Sequence, residues 1–397
     1  MKGPWDDWLP GVLNKRQVGE LIRRRFIRNA SSDLDYSSLD LMIADEAYEL
    51  VATVKPHERN FVGELLEQDL AKRIQPGPDG SYLLKRRHSY LFKLKEQIQD
   101  LQNSPIYGTA TAKSSVGRMD VLARLIVDGM DSYEGFDPRR IKGGDLFVEV
   151  TPMTFNVRVK SGIALTQLRL FKGPPEDSLM QGDTLIATVF KDADPDGTAS
   201  LSVNLSPDVV AGCEVSAFSA SIARQDRGMV IDLWKKPPNL RPKPWDYWKF
   251  EIADKCGRLR IVKDRFYIIR SREKIHLPGG IAVYCRASDE TIGEMRIHYA
   301  GFVHPFFGFE RQDGSRGTPL IFEVRGHDID VSLMDKEKMA KLEFFRMSED
   351  AKEERKNKSR NTRADDPYTA QSLQLSKYFA DWPKRVSRSR SGAVVLT

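Results

Sequence analysis

The chain is expected to be mainly β, built as two barrel- or sandwich-type modules in tandem with a few short helices. Three observations carry that expectation. Apolar and polar residues alternate in many short runs bounded by Gly, Pro, Asn or Asp, long helical patterns are scarce, and the sequence repeats itself weakly. In the repeat, "DLFVEVTPMTFNVRVKSGIALTQLRLF" (residues 145–171) lies over "PLIFEVRGHDIDVSLMDKEKMAKLEFF" (residues 319–345) without a gap. Glu149 meets Glu323, Val157 meets Val331, and Phe171 meets Phe345. Upstream, "SYLFKLKEQI" (89–98) resembles "FYIIRSREKI" (266–275), so several strand segments recur in the same order.

The elements follow in chain order. "NKRQVGELIRRRFI" (14–27) reads as a helix with Asn14 as N-cap, and "FVGELLEQDLAKRI" (61–74) as a second. Residues 111–127 read as a polar turn entering an apolar strand, and "FNVRVKSG" as a strand and its turn. "DTLIATVF" (183–190) and "ASLSVNL" (199–205) are expected to form a hairpin around "KDADPDG". "WKKPPNLRPKPWDYW" (234–248) reads as a surface crossover packed by its own tryptophans rather than a polyproline ligand. Residues 348–366 are too charged to bury a face and read as a solvated helix running into a linker. The expected divisions are a first module over 1–173, a second over 174–347, and a charged linker with a closing tail over 348–397. Residues 174–230 have β character without an assigned role.

Composition narrows the function classes. A chain of 397 residues with 40% hydrophobic and 30% charged residues is that of a globular protein of about two domains. It has no run of about 18 apolar residues, and "MKGPWDDWLPG" has no apolar signal core, so neither membrane insertion nor export is expected. Three scattered cysteines, Cys213, Cys256 and Cys285, make neither a disulfide framework nor a CxxC pair, which points to the cytoplasm. The net charge of +6 suits an anionic ligand, and no nucleic-acid partner is expected from it.

One motif carries chemistry. In "TAKSSVGRMDVLARLIV" (111–127), Lys113, Ser114, Ser115 and Arg118 gather hydroxyls, backbone donors and cations within a turn. Such donors suit phosphate oxygens, although the spacing is not that of a Walker loop. Glu149 and Glu323 each stand between apolar strand neighbours and therefore face away from them. A strand carboxyl held against an apolar wall is suited to moving protons.

"AKSSVGR", "GFDP" (135–138) and "GGDLFVEV" (143–150), taken in that order, resemble the dCTP deaminase branch of the dUTPase-like superfamily, in its tandem two-module bacterial form. "YAGFVHPFFG" (299–308), "LIFEV" (320–324) and "PYTAQS" (367–372) resemble the second hairpin, the second Glu strand and the closing tail. The resemblance implies two distorted, jelly-roll-like β-barrels and zinc-independent deamination of dCTP to dUTP and ammonia, supplying dUTP for dUMP and dTTP synthesis. The HxE and PCxxC signature of zinc deaminases is missing from the sequence. It implies that Lys113, Ser114, Ser115 and Arg118 contact the triphosphate, with Ser114 and Arg118 also near the water and base. Glu149 is then the proton shuttle, Asp137 the partner of the sugar 3′-hydroxyl, and Tyr368 and Gln371 close over the nucleotide. It further implies Mg²⁺ held mainly by phosphate oxygens and no zinc, and a homo-oligomer, expected to be a trimer stacking rings of first and second modules.

The second copy departs from the pattern. Its phosphate motif is "CRASDET" (285–291), which keeps Ser288 but carries Asp289 and Glu290 and ends without Arg. His304 stands where the hairpin Asp is expected, and in the first copy no Arg directly precedes Asp137, leaving Arg124, Arg139 and Arg140 as substitutes. A mixed site, with Ser114, Ser115 and Arg118 facing His298, Ala300 and Glu323, is the alternative to a site within first modules. The preference from sequence is Glu149 first and Glu323 second. The rival functions are a dUTP diphosphohydrolase or bifunctional enzyme with Asp137 activating water, and a non-catalytic nucleotide-sensing or nucleic-acid-binding protein.

Overall fold

The computed structural model is mainly β, with twenty-nine strands and a few short helices among the described residues. It describes all residues except 1–2, 32–33, 58–60, 142–143, 191–196, 222–228, 235, 289–294, 299–300, 309–316, 353–371, 390 and 397, and for 295–298 and 396 the backbone alone. Two ten-stranded sheets dominate. In the first, Ser89–Ile98 lies between Leu39–Leu50 and Asp145–Pro152, and Asp145–Pro152 pairs on its other side with Val121–Val127. In the second, Phe266–Ile275 lies between Ser200–Asn204 and Thr318–Gly326, and Thr318–Gly326 pairs beyond with Met295–His298. The far halves match as well: Ala164–Lys172 pairs with Ile106–Ala112, and Lys338–Arg346 with Ile281–Ala287. The repeat in the sequence is thus a repeat of strand order, and both sheets curl as barrels.

A repeated glutamate serves this curl. Each module has a register shift that frees a main-chain N–H. Glu96 accepts the N–H of Met42 at 2.9 Å, and Glu273, its match in the repeat, accepts that of Ser202 at 2.7 Å. A carboxylate spent this way satisfies a donor that the ladder leaves unpaired.

The helix after Asn14 spans Lys15–Arg23 with the expected cap, a reciprocal pair of bonds between Asn14 and Gln17. The second helix is shorter than the pattern predicts. It covers Phe61–Glu67, stops at Asp69 in the left-handed region (φ 56°), and gives way to the strand Ala71–Arg73. The expected strand at 183–190 is a helix, Asp183–Val189. Leu185, Ile186 and Val189 fit a helical stripe as well as an alternating one, and all three pack on the second core. Its intended partner is a strand, Ser200–Asn204, which pairs elsewhere. In the Pro-rich crossover Trp248 is buried, with Phe155, Phe266 and Phe379 around its ring. The charged segment 353–371 lies outside the described residues.

The modules share a core. The larger cluster is built from first-module residues such as Phe92, Val148 and Leu168, and it includes Phe218, Trp248, Phe250 and Phe266 of the second. The last segment of the chain joins it through Leu373, Leu375, Tyr378, Phe379, Val386 and Val394. A parallel pairing of Asn156–Lys160 with Val230–Asp232 ties the halves further.

Candidate active site

The phosphate-type motif is a single helical turn, Ser114–Gly117, between two strands. Val116 and Met119 are fully buried in the core and anchor the turn. Spacing then sends Ser115 and Arg118 to another side. Ser114 is exposed, whereas Arg118 is 9% exposed. Lys113 is ion-paired with Asp40. The main-chain carbonyl of Ser115 accepts a 2.6 Å hydrogen bond from Ser376, and Tyr378 lies beside it, buried. The C-terminal segment therefore lies against the motif through Ser376 and Tyr378. Tyr368 and Gln371, the residues expected to close over the nucleotide, lie outside the described residues.

Arg118 faces the second module. Its Nε lies 3.9 Å from Glu323 Oε1, and both side chains are nearly buried. Phe322 and Val324 point into the second module's core, so alternation turns Glu323 toward the junction. Burial drives the Glu323 carboxyl well above the ordinary carboxylate range; Arg118 opposes the shift and Asp120 adds to it. Cys285 is close by. Its thiol is pushed up to about 12 by burial and by Glu323, so it stays protonated and forms part of the wall. The Cys285 main-chain N–H donates to the carbonyl of Gly301 at 3.0 Å, beside Ala300, which is itself outside the described residues. His298 pairs with Glu323 through the main chain.

Glu149, the counterpart of Glu323, is placed otherwise. Its side chain is fully buried and ion-paired with Arg124. Thr53 donates to it at 2.8 and 2.9 Å, and Tyr133 at 3.1 Å. This face of the strand is covered by the chain's own residues 48–71, through Tyr48, Phe61, Val62 and Leu65. Nothing of the Lys113–Arg118 motif contacts Glu149 among the described residues. Asp137 is also engaged locally: Arg139 donates to it from its main-chain N–H at 2.9 Å and from Nε at 3.0 Å, and this holds its carboxyl below the usual range. The sequence thus offered three arginines for the hairpin, of which Arg139 takes Asp137 and Arg124 takes Glu149.

A polar cluster adjoins Lys113, built around His304, which the sequence marked only as a departure from the hairpin pattern. His304 meets Ser37 at 3.1 Å and Asp35 at 3.5 Å. The fully buried Arg169 donates to the carbonyls of Val283 and Val303 at 2.8 and 3.2 Å and lies over the Phe302 ring at 4.0 Å. Burial lowers its pKa to about 9. A cleft of about 720 Å³ elsewhere, lined by Tyr82, Lys85, Tyr90 and Arg158, includes no residue of the motif or of the Glu323 strand.

Two curled antiparallel barrels in one chain, with a hydroxyl- and cation-rich turn of one against a buried carboxyl of the other, have the architecture of the dUTPase-like enzymes. The comparisons narrow the class. The model for the 2′-deoxycytidine 5′-triphosphate deaminase N-terminal domain matches residues 9–174, and that for the C-terminal domain of the same family matches residues 177–379. The chain belongs to the dCTP deaminase family and is an enzyme of that kind. Among solved structures it is similar to the 2′-deoxycytidine 5′-triphosphate deaminase of Agrobacterium tumefaciens, at 25% identity and a TM-score of 0.75, over 86% of this chain and 97% of that one. No curated protein matches the sequence. Among the described residues no helix is long and apolar enough to cross a membrane.

Proposed function

We propose that dCTP is deaminated at the junction of the two modules, with Glu323 as the proton shuttle. One observation carries the reading: Glu323 is the buried strand carboxyl that Arg118 of the phosphate-type motif approaches, at 3.9 Å. Glu149 is taken up by Arg124, Thr53 and Tyr133.

In this reading Ser114, Ser115 and Lys113 bind the triphosphate, and the cytosine ring lies between Arg118 and Glu323. Water attacks C4 while Glu323 takes one of its protons. Glu323 returns that proton to ring N3, and the tetrahedral centre then expels the amino group as ammonia after a second proton transfer, leaving the C4 carbonyl of dUTP. A carboxyl whose pKa is raised by burial suits both halves of that exchange, taking a proton and returning it. Arg118 holds charge that develops at the water and the base. The donors around the motif are hydroxyls and cations, which suit phosphate oxygens. A magnesium ion would therefore come bound to the triphosphate and neutralise its charge.

Asp137 as activator of water for dUTP hydrolysis is less favoured, because Arg139 holds its carboxylate. The test is Glu323→Gln assayed with dCTP and with dUTP separately. The expected result is loss of ammonia release with triphosphate binding retained; full activity in that variant would reject the reading.

A further inference from the structure

The junction holds a second charged pair that the reaction does not use. Asp120 lies two residues beyond Arg118, and Arg325 two beyond Glu323, on the same face of its strand. Arg325 is ion-paired with Asp120, and their side chains are 3% and 0% exposed. Thr154 completes the cluster, donating to Asp120 at 2.5 Å and lying 2.5 Å from Arg325. A further donor of Arg325, Nη1, is fixed on the carbonyl of Asp264 at 3.0 Å. On the other side, Asp120 is held in the left-handed region (φ 56°), with its carbonyl accepting from Met153 at 2.8 Å. The first copy has Thr151 where the second has Arg325, so the device is not part of the repeat.

We propose that Asp120 and Arg325 are a positioning pair that clamps the two modules and thereby sets Arg118 against Glu323. The proposal rests on the reading of Arg118 and Glu323 as the reacting centre. A buried ion pair is a poor device for stability alone, since apolar groups of similar size serve as well. Its value is directional: the guanidinium fork and its three acceptor groups fix the registry of one module against the other. A strand shift of about 1 Å at such a centre costs about 100-fold in rate.

Three variants test this: Asp120→Asn, Arg325→Lys, and the double variant Asp120→Asn with Arg325→Met. Asp120→Asn leaves a buried cation unpaired and is expected to lower the Tm most. The double variant removes both charges and should recover most of that loss. Its kcat should nonetheless stay about 100-fold down with KM changed far less, because the registry is lost. The groups that act on Glu323 are Arg118, Asp120 and Cys285. Without Asp120, which raises the Glu323 pKa, the acid limb of kcat/KM should move to lower pH. Arg325→Lys keeps the charge and loses the fork, so it should keep most of the Tm and lose part of kcat. A double or Lys variant with wild-type kcat and pH profile would overturn the proposal. So would a loss of kcat that merely follows the loss of Tm across all three. Glu323→Gln in the wild-type background separates the two ideas: activity there removes the centre and the clamp's purpose with it, whereas inactivity there with unaffected clamp variants removes the clamp alone.

Discussion

Glu149 and Glu323 occupy the same place in two copies of one strand, yet they face different neighbours. In the first module that face is covered by the chain's own residues 48–71, and the carboxylate is tied to an arginine. In the second, Glu323 is met by Arg118 of the other module at 3.9 Å. The difference teaches that duplication gave two carboxyls and that what lies across from each decides its use. Glu149 is held in an ion pair with Arg124, whereas Glu323 is buried near Arg118 with its carboxyl pushed well above the ordinary range.

The largest expected effect breaks or upholds that contrast directly. Glu323→Gln should lower kcat by about 10²- to 10⁴-fold, as expected for losing a general base, with little change in thermal stability. Glu149→Gln should do the reverse, cutting stability by roughly 3 kcal/mol as Arg124 loses its buried partner while the rate per folded enzyme stays near wild type. Steady-state kinetics beside thermal denaturation read both; equal losses of rate would end the distinction. Arg118→Ala comes next, with KM raised and kcat lowered together, which initial rates over a dCTP titration measure.

A smaller effect separates the two bulge glutamates. Burial pushes the Glu96 carboxyl up from 4.5 to about 7. An acid raised in the folded state is protonated at low pH without cost, and it destabilises the fold as pH climbs from the unfolded value through the folded one. The wild-type protein should thus lose stability between pH 4.5 and 7, by up to about 3 kcal/mol at full ionisation. Glu96→Gln should flatten that slope in a pH series of Tm values. Glu273→Gln should instead lower the stability by about 1 kcal/mol, through the bonds that both Glu273 oxygens accept from Ser202. The smallest effect is that of Ser376→Ala, which removes one bond to the Ser115 carbonyl. It should cost about 1 kcal/mol and raise KM for dCTP by less than tenfold.

Much of this was legible in the sequence. The repeat and the alternation around Glu149 and Glu323 carried the fold, because a period of two is a local property of a strand. The Lys113–Arg118 turn was visible as a cluster of donors. What lies across from each glutamate was not, because it depends on packing between segments some 200 residues apart, such as Arg118 and Glu323. The sequence preferred the first copy for having the intact motif, and the geometry pairs that motif with the second copy's carboxyl. Asp183–Val189 was misread because its apolar residues satisfy both periods. Arg325 carried no local signal, since its charged partner Asp120 lies in the other module; His304 was visible as a departure from the hairpin pattern, but its neighbour Asp35 was not.

The return of the chain's end to its beginning has a practical consequence. The two family models meet between residues 174 and 177, which invites division there. A fragment ending at that point would lack Leu373, Tyr378, Phe379 and Val394 and would expose the apolar wall they cover. The fragment beginning there would carry those side chains with nowhere to bury them. Separately expressed halves should stay insoluble alone and become soluble on co-expression, which makes this chain a ready scaffold for split-enzyme reporters.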